Sequence, residues 1–368
     1  MKKILIIFGA IVCVSAIGFG IYYYFFSGST FGTVNVNLGA LDEKSVTVCK
    51  DVSGHSRIIC LSGELKKSLS EDLKSKVQLD YSVANAQKWS NFPPAIYRNR
   101  VGVTLDKFNP EQLKIIKAIL KEAEGTAVHE GYDELEEILN ADDFLKARGS
   151  GPNLGYSSGN YNFAFLGTPS DKGVWQLYFG GHHLAVGMTY KDGNLVGATP
   201  SFRGVEPFEK FTQNGRENEP MKQEQEAFAA MLNSLDENEK TTAKLTQNFS
   251  DIIAGPNKDN NFPSSPSGVK VGNLSKEKQE LVIKAIEKYV SDATDSDAKK
   301  ILEKYRTELA DTYISFSGST DLNAVNDYVR VDGPAVWIEL SMQHAIAWSG
   351  IHPHSVWRDK TNDYGGNK

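Results

Sequence analysis

The sequence lacks the motifs that usually announce an activity. It has no Gly-x-Ser-x-Gly elbow, no Walker phosphate loop and no His-Glu-x-x-His pair, so no nucleophile or nucleotide-binding signature is at hand. It also lacks a basic stripe with interleaved aromatics, and 40 Lys and Arg stand against 46 Asp and Glu for a net charge of -6. Phosphate backbones need a positive face, which argues against nucleic acid as a partner. Cysteine is scarce, at three residues, and so is histidine, at seven. The scarcity of histidine makes its distribution informative.

Five of the seven histidines fall in two short stretches. Residues 173–183 (GVWQLYFGGHH) form an apolar strand that breaks at Gly180 and Gly181 and presents His182 and His183. Residues 335–344 (AVWIELSMQH) end on His344 and are followed by His352, Pro353 and His354. Such clustering points to a polar or metal-binding site. Adjacent side chains on a strand face opposite ways, so His182 and His183 share one ion only if the Gly pair ends or bulges the strand. His352 and His354, one residue apart on an extended segment, lie on one side and suit a shared metal. His183, His352 and His354 are therefore expected to converge on a divalent transition metal such as zinc, copper or iron, with His182 in the site or directly behind it. Glu206 and Glu339 are candidate carboxylate ligands or bases, and Asp359 and Asp363 candidate groups to orient the imidazoles. The competing readings are a polar substrate pocket without metal and histidines of purely structural use.

The N-terminus reads as a membrane anchor. Lys2 and Lys3 precede an uncharged run from Ile4 to Phe26, long enough for a bilayer that needs roughly 20 apolar residues. Basic residues only on its N-terminal side imply that everything after about Gly28 lies outside the cytoplasm. A cleaved signal peptide is the rival, without an evident small-x-small site. Cys13 follows Val12, a poor lipobox residue. In an oxidising compartment Cys49 and Cys60 pair as a disulfide across a hairpin, with strands Val46–Cys49 and Ile58–Cys60 about a turn at 53–56. A Cys/His metal clip with His55 is the alternative.

Along the chain, 1–28 is the anchor, 29–78 a tether with the disulfide hairpin, and 79–366 a single α+β domain. Asn109, Pro110 and Gln112 announce a helix with Asn at N-cap, Pro at N1 and Gln at N3, carried on by Leu113, Ile116 and Leu120. The Gly-rich stretch 149–159 precedes a strand rather than joining strand to helix, which speaks against a phosphate cradle. Strands are expected at 162–166, 174–179, 184–190 and 195–198, the last two joined by the turn Lys191–Asn194. The Pro- and Asn-rich segment 251–267 separates two halves. Gln112 to Ile119 matches Gln279 to Ile286, Glu136 to Leu139 matches Lys299 to Leu302, Phe163 to Thr168 matches Ile314 to Ser319, and Gly173 to Trp175 matches Ala335 to Trp337. Four echoes in one order predict two pseudo-symmetric halves, about 105–207 and 271–357, each a helix pair followed by antiparallel strands.

Together, Gly181 to Leu184, Pro200, Phe202 and Gly204 with Pro207, Gly333 and Pro334 before Glu339, and His352 to Asp359 with Asn362 to Gly365 resemble the domain of unknown function 3500 family. The likeness runs from about Leu79 to Gly365. It implies no activity, and it favours Glu339 and Gln343 over His344 in the site. Two functions fit: a membrane-anchored extracytoplasmic metal-dependent hydrolase of a small substrate, with Glu339 as base, or a non-catalytic protein that holds a metal or small ligand.

Overall fold

The computed structural model describes residues 38–149 and 154–366. The apolar run at 4–26 and the start of the tether lie outside them. Among the described residues no helix is long and apolar enough to cross a membrane.

The chain forms α1 (Gly54–Ser68), α2 (Glu71–Val77), β1 (Gln78–Leu79), α3 (Val83–Ala86) and β2 (Val103–Thr104), then the long helices α4 (Pro110–Ala123) and α5 (Gly131–Arg148). There follow β3 (Asn162–Leu166), β4 (Val174–Gly181), β5 (Leu184–Lys191), β6 (Asn194–Gly197) and β7 (Ser201–Gly204), and a separate hairpin of β8 (Phe211–Gln213) and β9 (Arg216–Asn218). Helices α6 (Lys222–Asn233) and α7 (Glu237–Ala243) lead to β10 (Val269–Lys270), α8 (Lys276–Val290) and α9 (Asp295–Thr307). The chain closes with β11 (Tyr313–Ser317), β12 (Tyr328–Asp332), β13 (Val336–His344) and β14 (Ile351–Asp359).

One large mixed sheet organises this α+β domain. Its order is β1-β3-β4-β5-β7-β14-β13-β12-β11-β10, with β2 beside β3 and β6 beside β5. Every pair is antiparallel except β1 with β3. Strand alternation gives the sheet two apolar faces. On one, Phe163, Leu177, Val186, Val331, Ile338 and Trp357 pack with the buried stripes of α1, α4, α5, α6 and α8. On the other, Ala164, Tyr178, Ala185, Phe202 and Val356 are covered by Trp89, Val101 and Tyr364. The residues expected to start α4 do so: Asn109 and Gln112 cap each other reciprocally and Pro110 takes the first turn. Between β5 and β6, Asp192 and Gly193 both have positive φ, as the twist of a two-residue hairpin requires.

A series recurs in the chain. A short strand, a 3-10 turn, two helices, a second 3-10 turn and a strand occupy 103–166 and again 269–317. Each copy is entered through a glycine, Gly102 at φ +84° and Gly268 at φ +111°. At each, an added Cβ would strike a carbonyl oxygen of the neighbouring strand, Phe163 O and Ile314 O respectively.

The expected hairpin around the disulfide is absent. Cys49 and Cys60 are bonded, with Cα atoms 5.9 Å apart, but Cys49 lies in a turn and Cys60 inside α1. Ile58 and Ile59 suggest a strand when read alone. The buried residues Ile58, Leu61 and Leu65 form a helical stripe that packs into the same core as α4, and that burial decides the matter. Leu69 and Ser70 separate α1 from the short helix α2.

Candidate metal centre

The site forms where three strands end close together. β4 stops at Gly181 and β5 begins at Leu184, so His182 and His183 are the two residues of a tight turn. They do not face opposite ways. His183 adopts φ 60°, and the two rings stack with centroids 3.7 Å apart. The backbone of His183 is pinned on both sides: its N–H donates to Asn91 O (3.1 Å) and its carbonyl accepts from Gly204 N (2.8 Å).

β14 lies between β13 and β7 and presents His352 and His354 on one side, with ring centroids 4.8 Å apart. His183 lies 5.4 Å from His352 and 5.1 Å from His354, centroid to centroid. One nitrogen from each of His183, His352 and His354 falls within 4.8 Å of the others. Two ligands at about 2.1 Å from an ion can be roughly 4.2 Å apart at most, so the three nitrogens would need to draw in only slightly to share one ion. His352 Nδ1 and His354 Nε2 are buried without a hydrogen-bond partner. Orphaned buried nitrogens of this kind cost stability unless something fills the gap.

The polarity of the site is set around it. Asp251 Oδ1 lies 3.1 Å from His354 Nδ1, the Gln343 amide meets the same nitrogen, and Nε2 is the ring nitrogen left without a partner. The Gln343 amide donates to the same Asp251 oxygen, and Asn91 Nδ2 stands 3.5 Å from His354 Nδ1. Burial, and then the neighbouring imidazoles, hold His183 well below the usual histidine range and His352 down to about 3. Both are therefore neutral at pH 7, the form that ligates metal. Burial opposes ionisation of Asp251, but its bond to His354 prevails and keeps it below the usual carboxylate range.

His182 sits behind this group. Its Nδ1 is 2.6 Å from Asp142 Oδ1, its carbonyl accepts from Tyr161 OH, and its ring packs 5.1 Å from that of Tyr156. It braces His183 rather than joining the ligand set.

Glu339, the expected base, is committed elsewhere. Its carboxylate accepts from Ile253 N (2.7 Å), Ala254 N (2.9 Å), Tyr328 OH (2.8 Å) and Trp337 Nε1 (2.8 Å). It shares the sheet face of His354 but anchors the loop that delivers Asp251, a positioning role. Glu206 is likewise engaged: one oxygen accepts from the backbone N–H of Ile346, Ala347 and Trp348 at 2.6–2.7 Å. Asp359 bonds Lys304 and Tyr305, and Asp363 bonds Arg358, so neither orients an imidazole. His344 turns to Ala345 O. The groups that do orient the histidines, Asp251, Asn91 and Asp142, come from loop and helix positions that no local pattern marks. A second cluster, His129, Asp133 and Glu137, is already ion-paired, since Arg216 bonds both carboxylates at 2.8 and 2.7 Å.

A family model described as a protein of unknown function (DUF3500) matches residues 53–366. No curated protein and no solved structure matches the chain.

Proposed function

The chain belongs to the DUF3500 family, a membership that brings no activity with it, and from the site's geometry we propose a metal-dependent hydrolase acting on a small substrate. The observation that carries the reading is the ligand count. Three imidazoles converge, and among the described residues no fourth ligand joins the group. Three protein ligands with a remaining position for water characterise catalytic zinc sites, whereas structural sites close all four. Copper and iron also accept such a set. Elemental analysis of protein never fused to an affinity tag tests the first half of the proposal. Bound metal is expected, and it should disappear in the His352→Ala/His354→Ala double variant. Assays on generic esters, phosphates and peptides test the second half. Turnover that is lost with the metal supports hydrolysis, and metal without turnover of any class rejects it.

A non-catalytic metal-holding role is the second reading, favoured by the depth of the site. His183, His352 and His354 are only 2–5% exposed, which suits retention of an ion better than passage of a substrate.

We also propose that the domain is tethered to a membrane and lies outside the cytoplasm. The charge-free run from Ile4 to Phe26 behind Lys2 and Lys3 supports this, as does the Cys49–Cys60 disulfide, a bond that persists in oxidising compartments. Protease added to intact spheroplasts should digest the domain, and full protection would reject this topology. Finally, the recurring series entered by Gly102 and Gly268 supports two halves derived from one ancestral unit. Alignments of further family members that share no positions between the halves would refute it.

A further inference from the structure

On the same sheet face as the histidines, but at the far side of the Glu339 anchor, a cleft of about 470 Å³ opens between β12 and the 245–267 connection. Its size lies in the range of small-molecule sites. Arg330 lines it. This side chain is 4% exposed, and its Nε is buried with no hydrogen-bond partner. Among the described residues no carboxylate lies within 4.0 Å of its guanidinium. A buried cation without a counter-ion is costly, and proteins normally supply one.

The carboxylates that share its surroundings are already in use. Glu339, directly opposite on β13, is saturated by its four donors. Asp332, two residues along β12 and on the same face, is bonded to Lys360. The guanidinium meets the Tyr328 hydroxyl rather than a carboxylate, and it lies 5.4 Å from the centre of the Trp337 ring. Aromatic walls flank it: Phe262 meets Trp337 edge-on at 5.3 Å, and Phe249 stacks on Tyr328 at 4.1 Å. The rest of the lining is amide, hydroxyl and aliphatic, including Gln247, Asn261 and Ile253, with neither a second cation nor a carboxylate.

We infer that this cleft binds a small organic carboxylate, its anionic group paired with Arg330 and its apolar body held against Phe249 and Phe262. The guanidinium fork matches a carboxylate bidentately. A phosphate dianion would need more positive charge than one arginine offers, and the aromatic walls have no use for a bare inorganic ion. The inference does not rest on the metal centre, since none of its residues belongs to the histidine cluster.

Isothermal titration of the full chain tests it with three probes: 3-phenylpropionate, its neutral amide and inorganic phosphate. The carboxylate should bind saturably, and the amide and phosphate about tenfold more weakly or worse, as expected when a charged hydrogen-bonded pair is lost. Arg330→Gln should weaken the carboxylate about tenfold or more while the metal content stays at the wild-type level. Absence of carboxylate binding overturns the inference, as does equal binding by phosphate or by Arg330→Gln. Should Arg330→Gln fail to fold, Ser267→Trp at the cleft's edge takes its place. It should block the carboxylate, and undiminished binding would again overturn the inference.

Discussion

At Gly204 the lack of a side chain is what lets two of the histidines meet. An added Cβ would sit 3.1 Å from His354 Cδ2 and 3.2 Å from His183 Cδ2, tighter than relaxed packing allows. Gly204→Ala should push the imidazoles apart, lowering metal occupancy for an overpacking cost of about 1–3 kcal/mol. Metal content and a melting curve on one preparation check this, and full occupancy would contradict it. Asp251 acts one step further out. Its side chain is 42% exposed, so Asp251→Ala should leave folding nearly intact while weakening metal binding about 10–100-fold, as read by competition with a chelator. Glu339→Gln probes the reassigned residue. An amide oxygen cannot satisfy the four donors that meet the carboxylate. The variant should therefore lose about 1–3 kcal/mol in urea unfolding for each donor left unpaired. A base would instead lose turnover at unchanged stability.

At the scale of elements, α1 depends on both its apolar stripe and its staple. The disulfide spans 11 positions, and closing a loop of that size stabilises by about 3 kcal/mol in the chain-entropy account. Cys49→Ser/Cys60→Ser should lose about 2–3 kcal/mol, measured by chemical denaturation. Because α1 packs through Ile58, Leu61 and Leu65 into the main core, the transition should remain single. A separate early unfolding of α1 would mean that the helix is only peripheral. The β13–β14 connection is held differently, by Glu206 accepting three consecutive backbone N–H groups. That anchor explains how a carboxylate which the sequence offers as a ligand is used to shape a loop.

At the scale of the whole molecule, the helical layer encloses an excess of buried acid. Arg203 bonds Asp292 (2.7 Å) and Glu124 (2.9 Å) and lies 3.3 Å from Glu134, while Lys288 bonds Glu130 at 2.7 Å. Glu224 leaves one oxygen without a partner. Burial, reinforced by neighbouring carboxylates, raises Glu124 to about 8 and Glu130 to about 7, and holds Glu134 and Glu224 well above 4.5. These groups keep protons in the folded state that the unfolded chain has released, so their stabilisation is complete below about pH 4.5 and is lost as pH rises towards 8. His183 and His352 are depressed and work the other way, but only below about pH 6.5, where the unfolded chain begins to protonate. Between pH 6.5 and 8 the carboxylates act alone, and the melting temperature should fall as pH rises. Each retained proton contributes about 1.4 kcal/mol per pH unit. Glu224→Gln should melt higher at pH 8 with a shallower slope. A flat wild-type profile would mean that these groups ionise freely.

Features that depend on neighbours a few residues away are legible along the chain. The Asn109, Pro110 and Gln112 cap, the alternation of the strands and the shared side of His352 and His354 all follow from helical and extended periods, which are local properties of the backbone. Which side chains meet is settled by packing across the fold. His182 and His183 stack because β4 ends at Gly181, where β7 and Asn91 receive the turn. Asp251 reaches His354 across 103 positions of sequence, and Asp142 reaches His182 across 40. Ile58 and Ile59 suit either a strand or a helix until the core takes up one face of them. The carboxylate of Glu339 suggests a base, but four donors occupy it, two of them backbone N–H groups more than 80 positions away. A side chain's chemistry can be read along the chain. Its partners depend on long-range packing, which local patterns do not encode.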